Sequence, residues 1–152
     1  MQRTLFILAI ISTFFLVQCS KDPKHVNDIK GKWYVESIID KTNGSPLTNT
    51  FPTDSIIIYF IDDHNYTGHT HKNTYSGDYS FDGLTTLTIN FPLVWPNPED
   101  ALGDAYIQMI MGCSPGYNTC GPNPFRSNLK LDGTKMEIDN QGKYKATLRK
   151  FN

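Results

Sequence analysis

The sequence has little charge of either sign, and neither sign prevails. Of its 152 residues, 14 are Lys or Arg and 15 are Asp or Glu, so the formal net charge is −1. The charged fraction of 19% lies below the roughly 25% of an average soluble domain. Because a protein that neutralises phosphates needs a basic face, we expect no nucleic-acid partner. The balance of charges also excludes a highly charged disordered chain.

Two motifs that signal catalysis or nucleotide binding are missing. The chain has no His-Glu-x-x-His zinc motif and no phosphate-binding P-loop. Adjacent acids occur at Asp62-Asp63 and Glu99-Asp100, but neighbouring residues on a strand face opposite ways. A turn and a helix start therefore account for these pairs better than catalytic carboxylates do. We expect a non-enzymatic protein without a cofactor.

The longest apolar run is too short to cross a bilayer. Leu5–Val17 has 13 residues without a charge, whereas a membrane-spanning helix needs about 20. The run follows Arg3, as the apolar region of a secretory signal peptide does. It ends in Leu-Val-Gln-Cys-Ser around Cys19, which resembles the lipobox of bacterial lipoproteins. An ordinary cleaved signal or a signal anchor is the alternative.

The lipobox resemblance implies an address for the protein. Residues 1–18 would be a signal peptide, and Cys19 would carry lipid that anchors the chain in a membrane, its one implied partner. Ser20, in place of Asp, is similar to an outer-membrane sorting signal. We therefore expect a bacterial envelope protein on the outer membrane, at its periplasmic or external face. Residues 19–28 are polar and are expected to form a tether.

Residues 29–152 alternate apolar and polar side chains in many short segments, which is typical of strands. We predict strands over residues 29–38, 55–61, 66–72, 75–81 and 85–91, and three more between 128 and 151. In the first strand, Trp33, Val35 and Ser37 should share one face, and Ile38 should lie on the other. Residues 40–54 are interpreted as a long connection, and Asp82-Gly83 as a hairpin turn. The alternation predicts these inward positions: Tyr75, Gly77, Tyr79, Phe81, Leu87, Ile89 and Phe91. About eight strands with one wet and one dry face predict a small antiparallel barrel or a strongly curled sheet. A single domain of this kind is expected to be a monomer.

One amphipathic helix is predicted over Pro98–Met111. Asn97 is its expected cap, and Gly112 is a natural stop. Apolar side chains recur on one helical face at Leu102, Ala105, Tyr106, Met109 and Ile110. The helix should cover one open end or face of the sheet.

Two local patterns resemble a known family. They are the opening Gly31-Lys32-Trp33 and the later Asn73-Thr74-Tyr75-Ser76-Gly77-Asp78-Tyr79. Together with the order of the elements, they resemble the META domain, a lipocalin-like β fold of bacterial secreted proteins and lipoproteins. The resemblance implies a fold and a location, and no reaction.

Two cysteines follow the helix in a Pro- and Gly-rich segment. Cys113 and Cys120 are expected to form a disulfide, because an even pair outside the cytoplasm is normally oxidised. Free thiols, or a metal or redox pair, are the alternatives.

Three histidines cluster in one predicted hairpin. His69 and His71 would face the same way on a strand and could share a metal ion, with His64 in the turn as a third candidate ligand. A solvated polar strand is the favoured interpretation, so no metal is predicted.

Inward-facing aromatic side chains usually fill a small barrel. Trp33, Tyr75 and Tyr79 are therefore interpreted mainly as core, with an apolar ligand pocket as the alternative. Trp95 is the candidate for a partner contact. These patterns favour a lipid-anchored binding or envelope-maintenance module, with a lipocalin-type carrier of a small apolar ligand as the alternative.

Overall fold

Antiparallel strands and one helix make up the computed structural model, which describes residues 28–48, 55–90, 97–112, 125–140 and 142–151. Helix α1 spans Ala101–Met111. The strands are β1 (Gly31–Asp40), β2 (Ser45–Leu47), β3 (Ile57–Phe60), β4 (Asn65–His69), β5 (Thr74–Phe81), β6 (Thr86–Asn90), β7 (Phe125–Asp132), β8 (Lys135–Asp139) and β9 (Tyr144–Lys150).

The sheet closes on itself. Strands β3 to β9 pair in chain order, and β1 pairs with both β3 and β9. These eight strands form a closed antiparallel barrel, and β2 adds a short extra strand along the end of β1. Closure pairs the edges that an open sheet would expose, so the predicted antiparallel barrel is confirmed.

Strand β2 was not predicted. It lies in a stretch rich in Thr, Asn and Gly, which we interpreted as a connection. Its three residues pair with Ile38, Ile39 and Asp40 through the backbone. A strand of three residues is too short to show an alternation of apolar and polar side chains in the sequence.

A β-bulge corrects the predicted faces of β1. Trp33 and Val35 are buried as expected, but the pairing with β9 shifts between Val35 and Ser37. An extra residue in one strand reverses the alternation beyond it. Ile38, predicted to face away from Trp33, is therefore fully buried, and Ser37 is not.

Large side chains fill the barrel. Twelve of them are at most about 2% exposed. They come from five strands, from α1 and from two positions just before β1 and β3: Trp33, Tyr66, Tyr106, Phe60, Ile29, Ile38, Ile56, Ile58, Leu87, Met109, Met136 and Ile138. The predicted inward positions Tyr75, Tyr79, Leu87 and Ile89 belong to the same core cluster. Phe81 is only partly buried and packs against it, and Phe91 lies outside the described residues.

The helix covers one end of the barrel, which we call the upper end. The β4–β5 turn at 70–73 lies at this end, as do Asn140, Gly142 and Lys143 between β8 and β9. Turns 61–64, 82–85 and 133–134 lie at the opposite, lower end. Asn140 donates a side-chain hydrogen bond to the carbonyl of Met109, and the hydroxyl of Tyr106 reaches that of Tyr75 inside the barrel. The predicted apolar stripe of α1 is buried, and so are Ile107, Gln108 and Met111.

The start of the helix differs from the prediction of Asn97 and Pro98. The N-cap is Asp100, with extended backbone angles, and its side chain accepts a hydrogen bond from the backbone N–H of Gly103. An Asp that satisfies an otherwise unpaired N–H outcompetes an Asn three residues earlier. Gly112 ends the helix with φ 60°, as predicted.

Candidate functional site

A cleft of about 480 Å³ opens at the lower end of the barrel. That volume lies within the range of small-molecule sites, roughly 300–1,000 Å³. The cleft is bounded by the residues that precede β1, by the β3–β4 turn and by the end of β5 with its turn: Asp28, Ile29, Lys30, Asp63, His64, Tyr79, Ser80, Phe81 and Gly83. We call this surface the lower cleft.

One side of the lower cleft is charged. Lys30 Nζ lies 3.1 Å from Asp63 Oδ1 and 3.8 Å from Asp28 Oδ2. The hydrogen bond to Asp63, with the nearby Asp28, raises the pKa of Lys30 above its ordinary value. All three side chains are largely exposed, so this network adds little to stability and is available to a polar ligand.

The other side of the lower cleft is aromatic. Tyr79 packs edge-on against Phe60, with ring centroids 4.7 Å apart, and its hydroxyl donates to the carbonyl of Asp62. Burial, assisted by Asp63 and its acidic neighbours, raises the pKa of Tyr79 to about 12. The phenol therefore stays neutral at physiological pH. Phe81 contributes a half-buried ring beside it.

A turn shapes the rim of the cleft. Asp82 Oδ1 accepts hydrogen bonds from the N–H groups of Leu84, Thr85 and Thr86. These bonds, that of Thr86 foremost, lower the pKa of Asp82 to about 2. Gly83 has φ 76°, as the predicted Asp82-Gly83 turn requires.

A second polar cluster lies at the upper end, where the β4–β5 turn meets the start of α1. Oε1 of Glu99 accepts hydrogen bonds from the Thr70 hydroxyl and the Asn73 side-chain amide. Asn73 also bonds the backbone of Asn97 in both directions, at 3.0 and 2.7 Å. The turn thereby holds the residues that lead into the helix.

His71 completes this cluster. Its Nδ1 lies 2.5 Å from Oδ2 of Asp100, and its side chain is only 5% exposed. His71, Glu99 and Asp100 each offer one ligand atom, and these atoms lie within 4.8 Å of one another. We call these three residues the upper cluster.

The three histidines predicted as weak metal candidates are not brought together. Strand β4 ends at His69, so His71 lies in the following turn and the rule for alternate strand residues does not apply to it. His64 lies in the turn at the other end of β4, about 20 Å away along an extended strand. His64 borders the lower cleft, while Nδ1 of His69 lies 3.4 Å from the Thr70 carbonyl.

The four aromatic candidates have different positions. Trp33 is fully buried and its indole N–H donates to the Ile29 carbonyl at 2.8 Å, so it packs the lower core. Tyr75 is 8% exposed and lies under α1. Of the three candidates that the structure describes, only Tyr79 borders the lower cleft. Trp95 lies outside the described residues, as do the signal peptide, Cys19, the rest of the tether before Asp28, Cys113 and Cys120.

One motif was overlooked in the sequence. Gly112-Cys113-Ser114-Pro115-Gly116 has the Gly-x-Ser-x-Gly spacing of a nucleophile elbow. In that motif the serine follows a strand and precedes a helix, whereas Gly112 here ends a helix. The strand that should precede the serine is therefore replaced by a helix, and Ser114 itself lies outside the described residues.

The sequence did not reveal either grouping of polar residues. Lys30 and Asp63 are 33 residues apart, and His71 and Asp100 are 29 apart. The acidic pair Glu99-Asp100 was correctly associated with a helix start, but the pattern contained no signal for its contact with the β4–β5 turn. Pairing of β1 with β3 brings the first two residues together, and contact of the β4–β5 turn with the start of α1 brings the second two together.

The fold resembles solved structures of lipocalin-like proteins. A lipocalin-like protein from Bacteroides uniformis matches with a TM-score of 0.54 and 17% identity, over 82% of this chain and 100% of that one. A DUF4847 family protein from Bacteroides vulgatus matches with a TM-score of 0.51 and 19% identity, over 81% of this chain and 95% of that one. No family model and no curated protein matches the sequence. The chain therefore has a lipocalin-like β-barrel fold.

Within the described residues, the one helix is shorter and less apolar than a membrane crossing requires.

Proposed function

We propose that this protein is a lipid-anchored, non-enzymatic binding module of the bacterial envelope that holds a small ligand in the lower cleft. The observation that carries the proposal is the cleft itself, which joins a charged side to an aromatic side. Such a surface fits a molecule with an apolar ring system and a charged group. The ring would lie against Tyr79 and Phe81, and the charged group would face Lys30 and Asp63.

The proposed anchor is close to this cleft along the chain. Asp28 borders the cleft, and it lies only nine positions after Cys19 in the chain. A fully extended stretch of that length spans at most about 30 Å. Lipidation at Cys19 would therefore keep the lower cleft near the membrane surface, and the helix-covered upper end would lie further away.

Carriage of an apolar ligand inside the barrel, the alternative, has less support. Lipocalin-type carriage requires a void among the inward-facing residues. Here Trp33, Phe60 and Tyr66 are less than 2% exposed in the interior, and α1 covers the upper end. A carrier role would therefore use the lower cleft.

We propose a META-like relationship as the finer classification within lipocalin-like proteins. It is supported by the opening Gly31-Lys32-Trp33 and by the pattern around Tyr75, Gly77 and Tyr79. Both patterns have a structural role, because Trp33 is buried in the core and Gly77 leaves room for the Tyr66 ring.

Metabolic labelling tests the anchor. The wild-type chain expressed in a bacterium should incorporate radiolabelled palmitate, and Cys19→Ser should abolish the label. Cys120→Ser is the matched control and should keep it. Undiminished labelling of the Cys19→Ser protein would refute lipidation at this residue.

A fluorescent dye tests the cleft. Anilinonaphthalene sulfonate combines an aromatic body with one negative charge, and we expect it to bind at a single saturable site. Ser80→Trp, which fills the cleft, should weaken binding by at least about tenfold. The control Ser76→Trp is also exposed on β5 but lies outside the cleft, and should change the affinity less than about twofold. Equal affinities for the two variants would refute the proposed site.

A further inference from the structure

We infer that His71, Glu99 and Asp100 form a binding site for a divalent transition-metal ion with the ligand preferences of zinc. The site lies at the upper end of the barrel, so it is separate from the lower cleft and does not depend on the function proposed there. It also differs from the histidine set that the sequence offered, because only His71 is common to both.

Each carboxylate of the upper cluster uses one oxygen for the cap or the turn, and its other oxygen takes no part in those bonds. Asp100 caps α1 through Oδ1, while its Oδ2 meets His71. Glu99 accepts the bonds from the β4–β5 turn through Oε1. This division leaves one oxygen of each acid for a shared cation without loss of the cap or of the turn.

The remaining oxygen of Glu99 is the independent indication of a ligand. Oε2 is buried and has no hydrogen-bond partner among the residues that the structure describes. Its position depends on Gly103, since a Cβ at that residue would lie 2.5 Å from Oε2. A buried carboxylate oxygen without a partner is costly, and a bound cation would remove that cost.

The donor set suits zinc in type and charge. Zinc binds imidazole nitrogen and carboxylate oxygen in sites with three protein ligands, and water takes the fourth position. The ligand atoms lie within 4.8 Å of one another. To surround an ion, the 2.5 Å contact between His71 Nδ1 and Asp100 Oδ2 must open, and the ion replaces the proton that this pair shares. Two carboxylates balance the double positive charge and offset the repulsion of a cation by the helix N-terminus.

Metal binding would join the β4–β5 turn to the start of α1. The turn supplies His71 and the helix supplies Asp100, so one ion would link two segments that are 29 residues apart. The ion would thereby hold the helix over the upper end of the barrel.

Titration with zinc chloride tests this site on the full mature chain, solubilised in detergent. The cysteines are first alkylated with iodoacetamide so that thiols cannot take the metal. Calorimetry should give one zinc per chain with a dissociation constant below about 10 µM. Nuclear magnetic resonance should show that zinc shifts the ring signals of His71 and leaves those of His64 in place.

Three variants complete the test. His71→Gln and Glu99→Gln should each weaken zinc binding by at least about tenfold, whereas His69→Gln should change it by less than about twofold. Glu99→Gln keeps an oxygen that can accept from Thr70 and Asn73, so it should retain the fold by circular dichroism. If the variants fail to fold, the wild-type resonance shifts decide the question. Absence of binding below about 10 µM, or equal loss in all three variants, would overturn the inference.

Discussion

Replacement of Gly68 by alanine should destabilise the barrel through a clash of volume. Gly68 of β4 pairs with Tyr75 of β5, whose ring crosses the glycine and whose hydroxyl bonds the carbonyl of Ile57 on β3. A Cβ at residue 68 would lie 2.3 Å from that carbonyl oxygen and 2.5 Å from Cζ of the tyrosine. Neither backbone nor ring can yield without loss of the hydrogen bond.

The expected loss follows from three contributions. Overpacking a well-filled core costs about 1–3 kcal/mol, and each disturbed hydrogen bond costs about 1 kcal/mol. The hydroxyl of Tyr75 makes two such bonds of 2.8 Å, to Ile57 and to Tyr106. Alanine also reduces the entropy of the unfolded chain, which returns about 0.4–1 kcal/mol. We therefore expect Gly68→Ala to lower the free energy of unfolding by about 2–4 kcal/mol.

Urea unfolding followed by far-ultraviolet circular dichroism measures this loss. The control is Gly44→Ala, where φ is 72° and no atom lies within 4 Å of the added Cβ. That variant carries only the strain of a left-handed alanine, about 1–2 kcal/mol before the same entropic gain.

Comparison of the two variants separates volume from backbone strain. A loss for Gly68→Ala no larger than for Gly44→Ala, with unchanged dependence on urea, would refute the reasoning from the Tyr75 contact.

Three further predictions concern the helix end and the response to pH. Gly112→Ala should cost about 2 kcal/mol or more, since φ is 60° and the Cβ would lie 2.2 Å from the Phe125 ring; a loss below about 1 kcal/mol in urea unfolding would contradict this. Hydrogen bonds from Lys145 on β9 and, to a smaller extent, from Lys135 on β8 lower the pKa of Glu137 from 4.5 to about 2. The stability that Glu137 contributes is present above pH 4.5 and is lost as the pH falls toward 2. In the Glu137→Gln variant, the urea midpoint should therefore decrease less between these pH values. The difference should be small, because Glu137 and Lys145 are partly exposed to solvent. Equal slopes for both proteins would count against it. Burial raises the pKa of Tyr106 above the ordinary value of 10.0, so the stability of the folded protein should fall as the pH rises above 10.0. Near-ultraviolet absorbance should show the Tyr106 phenolate only on unfolding, and ionisation of this residue in the folded protein would contradict its burial.

Local patterns of the sequence were sufficient for most strands and for the helix. Alternation in Tyr75–Phe81 and in Thr85–Asn90 identified inward residues correctly, because the two faces of a strand meet different surroundings at every second residue. The alternation failed in β1, where the bulge after Val35 turned Ile38 inward. A bulge depends on pairing with β9, which a local pattern does not contain.

The polar sites were beyond local reasoning for a related cause. Every residue of the upper cluster was visible in the sequence. His71 was nevertheless grouped with the wrong partners, because His64 and His69 lie close to it along the chain. Its actual partner Asp100 was assigned to the helix alone.

The sequence by itself determined the class of fold, since a period of two and a period of 3.6 are properties of short segments of chain. Tertiary structure decided which ends meet. Trp33 pairs with Ile58 on one side and Lys150 on the other, and this closure sets both the lower cleft and the seat of the helix. These long-range contacts depend on hydrogen bonds between backbone groups, and every residue carries nearly the same backbone groups. The pattern of side chains along the sequence therefore does not show which strands pair.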